Sequence, residues 1–419
     1  MTRFLRLALF AFLPLAALAQ GQADPDDDDL HENTVSGPRL PPPKSGKPIP
    51  KAENDTDDGI DRSKYAGMPY PAESYIAAEI LKMDVAFADK CRSAIDLIYQ
   101  RNYKDARTAF DALTTEYPTT GIGPSGLVVI YQALMFENFD FRYEKQYELA
   151  YASARKQIDA GLKTPGNEAI EYFLLAGMTG IEAIHDMRKG QYVAAFGKAL
   201  DAIKALKACK AAAPAFVDPW LGDGMYLYWR TIVVSQSKLL PKVEDKRDEG
   251  VALMLKSEKE GVFLGPAATL SLIYSYIEER EMGSAKSKYV RGYRLYPDNV
   301  INNMTGGRIY TATRDFPIAL RAYADVLRVA PDNQRVHYHR GIVYTRQGEL
   351  ASAEQEYKTY LAYKDIPNDY RGQTLYRLGS LAERQKNVTQ AKWYYEQAIK
   401  TNGSKASKSR LEKIKKSGG

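Results

Sequence analysis

The sequence predicts an all-α protein of about seven antiparallel helical hairpins between residues 73 and 402, and three observations carry that expectation. Strand signals are nearly absent, because β-branched residues nowhere alternate with polar ones for long. A small residue recurs at a fixed step: Ala285, Ala319 and Ala353 are 34 residues apart, and Ala391 follows after 38. A phrase also repeats, since YPDNVINNMTGGRIY at 296–310 returns 34 residues later as APDNQRVHYHRGIVY at 330–344. A fixed period of this size marks stacked supersecondary units.

The chain opens with MTRFLRLALFAFLPLAALAQ, in which Arg3 and Arg6 precede an apolar run that ends in Ala17-Leu18-Ala19. That run is too short to span a hydrocarbon core of about 30 Å. Residues 1–19 therefore read as a removable signal peptide, and the chain as exported to the periplasm or cell envelope, or secreted. Removing Arg3 and Arg6 lowers the formal charge from +6 to +4, which makes no case for nucleic-acid binding. Residues 20–70 hold DPDDDD, ENDTDD and RLPPPKSGKPIPK, acidic and Pro-rich with few aromatics. Such a stretch buries too little apolar surface to offset its ordering entropy and is expected to be a disordered linker.

Residues 71–264 are expected to form divergent hairpins. RNYKDARTAFDALTTEYP, 101–118, places Tyr103, Ala106 and Phe110 on one helical face. GIGPSG, 121–126, lacks the preceding strand and following Lys of a phosphate loop and reads as a hairpin connection. Residues 167–214 read as two long helices, and Asp218 and Pro219 as the cap and first turn of another. Cys91 and Cys209 lie in different units and read as buried free thiols. The basic tail, 403–419, reads as a frayed helix.

The regular repeats occupy 265–402. Four residues after each recurring Ala stands an aromatic: Tyr289, Tyr323, Tyr357 and Tyr395. Gly307, Gly341 and Gly379 keep the same step on the preceding helices. Gly and Ala are expected to face one another where the helices cross, with the aromatic filling the wedge between neighbouring hairpins. Pro297 and Pro331 end two units, and the Asp-Asn that follows each is expected to cap the next helix.

With these residues on the page, the chain resembles the tetratricopeptide repeat (TPR) family, strongly over 265–402 and more loosely before. Residues 119–264 also resemble exported bacterial helical-repeat proteins. The resemblance implies a right-handed α-solenoid whose first helices line a concave groove for a partner protein or peptide. Mapped onto this sequence, the groove positions include Leu270, Tyr274, Met304, Arg308, Tyr338, Ile342, Arg346, Tyr376 and Arg384. Aromatics interleaved with Arg suit peptide binding, since they offer large apolar area and forked donors. Members that clamp a C-terminal carboxylate do so with Lys and Asn, and here Met304, Arg308, Tyr338 and Ile342 stand in the comparable slots.

No catalytic set emerges. His31 lies in the linker, His337 and His339 are two residues apart on a helix and point away from each other, and Glu182 with His185 forms only half a metal site. No catalytic residue, metal or cofactor is expected. The leading expectation is an exported non-catalytic scaffold for a protein partner, with self-association through the last repeat as a further one. The alternative is a glycan-acting enzyme on an α/α toroid, with Trp220, Tyr226, Tyr228 and Trp229 lining its cleft.

Overall fold

A computed structural model describes residues 61–236 and 243–416. The expected signal peptide and residues 20–60 of the expected linker lie outside these. Among the described residues there is no strand, and no helix is long and apolar enough to cross a membrane. The chain divides into two compact units at Asn299/Val300, within the regular repeats.

The first unit begins with a 3-10 turn, Arg62–Tyr65, and eleven α-helices follow. These are α1 (Ala72–Ile80), α2 (Val85–Tyr99), α3 (Tyr103–Glu116), α4 (Ile122–Asn138), α5 (Glu144–Gly161) and α6 (Glu168–Arg188). Then come α7 (Tyr192–Ala212), α8 (Pro219–Gln236), α9 (Arg247–Glu260), α10 (Gly265–Glu278) and α11 (Met282–Leu295). The second unit comprises Glu137–Asp140 and everything from Val300. It holds α12 (Val300–Ala312), α13 (Phe316–Val329), α14 (Gln334–Gln347), α15 (Leu350–Ala362), α16 (Asn368–Arg384), α17 (Val388–Asn402) and α18 (Lys405–Lys416). Consecutive helices pack as hairpins: α2/α3, α6/α7, α8/α9, α10/α11, α12/α13, α14/α15 and α16/α17. The architecture is the all-helical repeat that the spacing predicts.

Order begins earlier than residue 71, where the linker was expected to end. Tyr65 is buried and its ring stacks on Tyr75 at 5.3 Å, while the Tyr70 amide donates to the Tyr75 hydroxyl at 3.1 Å. Two aromatics that can bury against α1 are enough to recruit these residues. At the other end, the tail forms α18 rather than a frayed helix. Ser407 and Ile414 are buried, and Arg410 pairs with Glu383 at 2.6 Å, so an amphipathic helix covers the last hairpin. Cys91 and Cys209 are both free and buried, as expected, and burial pushes the Cys209 thiol up to about 12.

In the regular repeats the recurring Ala residues are all completely buried. The glycines differ from expectation in what they face. A Cβ on Gly307, Gly341 or Gly379 would lie 2.4, 2.4 or 2.5 Å from the ring of Tyr323, Tyr357 or Tyr395. Each Gly therefore makes room for the aromatic of its own hairpin, and the ring closes that hairpin from inside. The GIGPSG run is likewise no connection. Gly123 and Gly126 lie inside α4, where a Cβ would come within 2.0 Å of Thr114 and of the Phe110 ring. Pro124 is tolerated because it falls in the first helical turn, where no intrahelical N–H is required.

Several polar groups join parts of the first unit that are far apart in sequence. Asp218 precedes α8 as predicted, yet its buried carboxylate accepts the amides of Val262, Phe263 and Leu264 at 2.9, 2.7 and 2.7 Å. Arg92 donates to the carbonyl of Val262. The Tyr296 hydroxyl donates to Asp96 at 2.7 Å, and the rings of Tyr99 and Tyr296 lie 5.2 Å apart. The first hairpin of this unit thus meets its last loop directly, which goes beyond the neighbour-only contacts of a simple repeat array. Buried Arg247 bridges Asp245 at 2.7 Å and Glu279 at 3.0 Å, and Glu279 also accepts from the Tyr228 hydroxyl at 2.9 Å.

Candidate interaction face of the second unit

The first helices of the second unit, α12, α14 and α16, carry the residues that the groove reading selects. Helical spacing puts Arg335, Tyr338, Ile342 and Arg346 on one face of α14. Met304, Tyr338 and Ile342 are buried, Arg308, Arg346 and Tyr376 are half-buried, and Arg384 is exposed. Tyr274 belongs to α10 of the first unit and is buried there. Leu270 on the same helix is half-buried, so four of the nine positions are filled by packing.

Two of the arginines are engaged in a repeated contact. Arg346 Nη1 donates to the Thr311 carbonyl at 3.4 Å, and Arg384 Nη1 to the Thr345 carbonyl at 3.2 Å. Both carbonyls belong to the last turn of the preceding first helix, where each also accepts a turn amide, that of Arg314 for Thr311 and that of Gly348 for Thr345. A guanidinium there adds a second donor to the carbonyl and sits at the negative end of the helix dipole. These arginines staple one hairpin to the next. Tyr376 packs at 5.6 Å on Tyr395 of its own hairpin, as Tyr338 does at 6.2 Å on Tyr357.

The centre of the face is built around Tyr338. Its hydroxyl donates to Gln373 Oε1 at 3.1 Å and accepts from Arg377 Nε at 3.2 Å, while the Arg377 guanidinium lies 5.5 Å from its ring. Tyr370 approaches edge-on at 5.7 Å, Phe139 meets Tyr370 at 6.3 Å, and the Arg335 guanidinium sits 4.9 Å over Phe139. His339 is edge-on to Tyr338 at 5.3 Å and stacked on Tyr323 at 5.9 Å. Burial, with Arg335, Arg308 and Arg377 around it, holds the His339 imidazole well below its ordinary value, so the ring is neutral.

Arg335, His339, Gln373 and Arg377 were not among the predicted groove positions. They stand one step round the helix from those positions, and the 38-residue spacing before Ala391 hides the correspondence between His339 and Arg377. The carboxylates of the flanking second helices are spent on other cations. Glu356 pairs with His337 at 2.7 Å and Arg340 at 3.0 Å, and Glu354 pairs with Lys358 at 2.7 Å. No described carboxylate pairs with Arg308 or Arg335, and Arg335 Nε is buried without a hydrogen-bond partner. The face is thus cationic and aromatic.

The residues of the glycan-cleft alternative are placed differently. Tyr228 and Trp229 are buried and pack edge-on at 5.1 Å, so they are core. Trp220 and Tyr226 are half-buried beneath Lys256 and Arg230 at 4.2 and 5.4 Å. Among the described residues no three His, Cys, Asp or Glu side chains come together to hold a metal ion. Glu182 is bonded to Lys198 at 2.5 Å, and His185 lies 3.5 Å from Glu144.

Residues 305–369 match the tetratricopeptide repeat family. No curated protein matches the chain. Two solved structures of human IFIT1, described as a dimer with PPP-AAAA and a dimer with m7Gppp-AAAA, are similar at 14% identity. Each alignment covers 78% of this chain and 85% of the other, with a TM-score of 0.37.

Proposed function

Starting from a chain whose residues 305–369 are tetratricopeptide repeats, we propose that it is a non-catalytic scaffold that holds a segment of a partner protein along the first-helix face of the second unit. One observation carries this reading. Arg335 is buried over Phe139 with its Nε unpartnered, and no described carboxylate pairs with it or with Arg308. Stranding cations beside buried aromatics costs stability unless something else offsets it, and a partner supplying carboxylates would. The N-terminal leader supports placing this scaffold in the periplasm or cell envelope.

The test is site-specific photocrosslinking in cells. A crosslinking residue at Arg384, exposed at the rim of the face, is expected to trap a discrete protein adduct. The same residue at exposed Leu149, in the first unit, is expected to trap none. Identical adducts from both positions, or none from Arg384, would overturn the reading. Mass analysis of the envelope fraction tests the leader: the expected chain begins at Gln20, and a chain retaining Met1 in the cytoplasm would refute export.

A further inference from the structure

From the two sides of α18 we infer a second interaction surface, apart from the first-helix face: the outward side of this helix docks on the headgroups of an anionic phospholipid bilayer. The inward side is fully used. Ser407 and Ile414 are buried, Leu411 packs on the core of the last hairpins, and Arg410 is spent on Glu383. At about 100° per residue these four fall within about 100° of arc. Lys405, Lys408, Lys413, Lys415 and Lys416 take the opposite side, across about 160°, and all are exposed. Glu412 is the one acidic residue among them.

The charge of the chain is concentrated here. Residues 403–419 hold six basic residues and one acidic, which leaves only one unit of the formal +6 to the rest of the sequence. Lys90, Lys198 and Lys288 are matched by Glu116, Glu182 and Glu258. No described carboxylate pairs with the five lysines of α18. Lysine heads are strongly hydrated point charges on flexible stems, which suits many mobile phosphates better than one fixed carboxylate. No aromatic stands among them, so the bases of a nucleic acid have nothing to stack on. One side of a single helix about 18 Å long is convex and offers no walls to a small ligand or a peptide. A plane of anionic headgroups matches it, and a cluster of this size on an amphipathic helix is drawn to such a plane within a Debye length. The apolar residues of α18 are already committed to the protein core, so the helix adheres by charge and does not insert.

The test is vesicle co-sedimentation of residues 20–419, which omit the apolar leader. Vesicles of phosphatidylglycerol and phosphatidylcholine, about 3:7, are expected to bind the chain in about 0.05 M salt and to release it in about 0.5 M. Pure phosphatidylcholine is expected to bind none. Lys405→Gln, Lys408→Gln and Lys416→Gln together are expected to weaken partitioning at least about tenfold. The same three positions changed to Arg are expected to keep it, which separates lost charge from lost folding. Lys104→Gln, Lys145→Gln and Lys156→Gln, an equal change of net charge at exposed positions of the first unit, are expected to leave partitioning within about twofold. The inference is overturned if neutral vesicles bind equally, if the α18 triple Gln variant partitions like the parent, or if the first-unit variant falls as far. A single-stranded oligonucleotide that displaces the chain from the anionic vesicles at equal phosphate concentration would overturn the assignment to lipid.

Discussion

The side-chain amide of Asn333 donates to the backbone carbonyl of Glu137 at 2.8 Å, across 196 residues of sequence. Within the first unit, Asn299 makes the equivalent contact to the carbonyl of Tyr99 at 3.1 Å, across 200 residues. The two asparagines are the repeated Asn of the Pro-Asp-Asn phrase, 34 residues apart. Their expected task was to cap the following helix, and Asn333 makes no such bond. Asn333 instead ties its repeat to a helix end far back in the chain, and Asn299 makes a tie of the same kind. Asn333 is fully buried, so Asn333→Ala strands a carbonyl and is expected to cost about 1–3 kcal/mol in chemical denaturation. Asn299 is half-buried, and Asn299→Ala is expected to cost about 0.5–1.5 kcal/mol.

The hairpin turns yield a second prediction. Arg101, Arg280, Arg314 and Lys386 have φ of +65°, +61°, +63° and +62°, and Gly190 and Gly348 hold the same turn position with φ of +78° and +85°. The left-handed region costs an L-residue about 1–2 kcal/mol. A basic side chain at a helix C-terminus recovers part of that through the dipole. Gly348 has open space around its Cα. Gly348→Arg is therefore expected to lose no more than about 1 kcal/mol, and Gly348→Val, with its β-branch, about 2 kcal/mol or more. Thermal melts of the two variants against the parent measure the difference.

The seam between Gly341 and Tyr357 is tight enough that one methyl group matters. Gly341→Ala is expected to destabilise by about 1–3 kcal/mol through overpacking. Combining it with Tyr357→Leu should cost less than the sum of the two single changes, by about 1 kcal/mol, because the smaller side chain vacates the space the methyl needs. Gly283→Ala, where nothing lies within 4 Å, is expected to stabilise by about 0.5–1 kcal/mol. Equal gains at Gly341 and Gly283 in a denaturant series would mean that helix propensity, and not the seam, sets the effect.

What the sequence disclosed follows from where each interaction lies along the chain. The Ala and Tyr steps were legible because both partners of a hairpin sit within one 34-residue period and repeat together. The contacts of Asn299, Asn333 and Asp218 were not, because no local pattern specifies a carbonyl 200 residues away or an amide 45 residues ahead. Arg346 and Arg384 looked like groove residues because their positions are right. A long guanidinium reaches the neighbouring helix end just as readily, and the carbonyls at that negative end accept from it. GIGPSG looked like a turn because Gly and Pro punctuate turns. The competing demand, room for the Phe110 ring against a helix backbone, is invisible until α3 and α4 are packed. At the candidate face, Tyr338 was one of the positions the sequence selected, while Arg335 and Arg377 emerged only from the rings that hold them.

Glu171 is completely buried in the first turn of α6 and supports a last prediction. Its carboxyl accepts only the Gly121 amide, at 3.0 and 3.2 Å, and packs where a Cβ on Gly161 would come within 2.6 Å. Burial raises its pKa from 4.5 to about 8, against the smaller opposing effect of the Gly121 N–H. The folded chain therefore keeps this proton between pH 4.5 and 8, while the unfolded chain releases it. The stability that the neutral carboxyl contributes is complete below about pH 4.5 and is lost as pH rises through about 8. At pH 7 the deficit is roughly 3 kcal/mol. Glu171→Gln retains an acceptor for Gly121 and has no proton to lose. It is expected to match the parent near pH 4.5 and to exceed it by roughly 3 kcal/mol at pH 7, flattening the profile of unfolding free energy against pH. A variant whose profile keeps the parent's downward slope across that interval would show that some other buried group governs it.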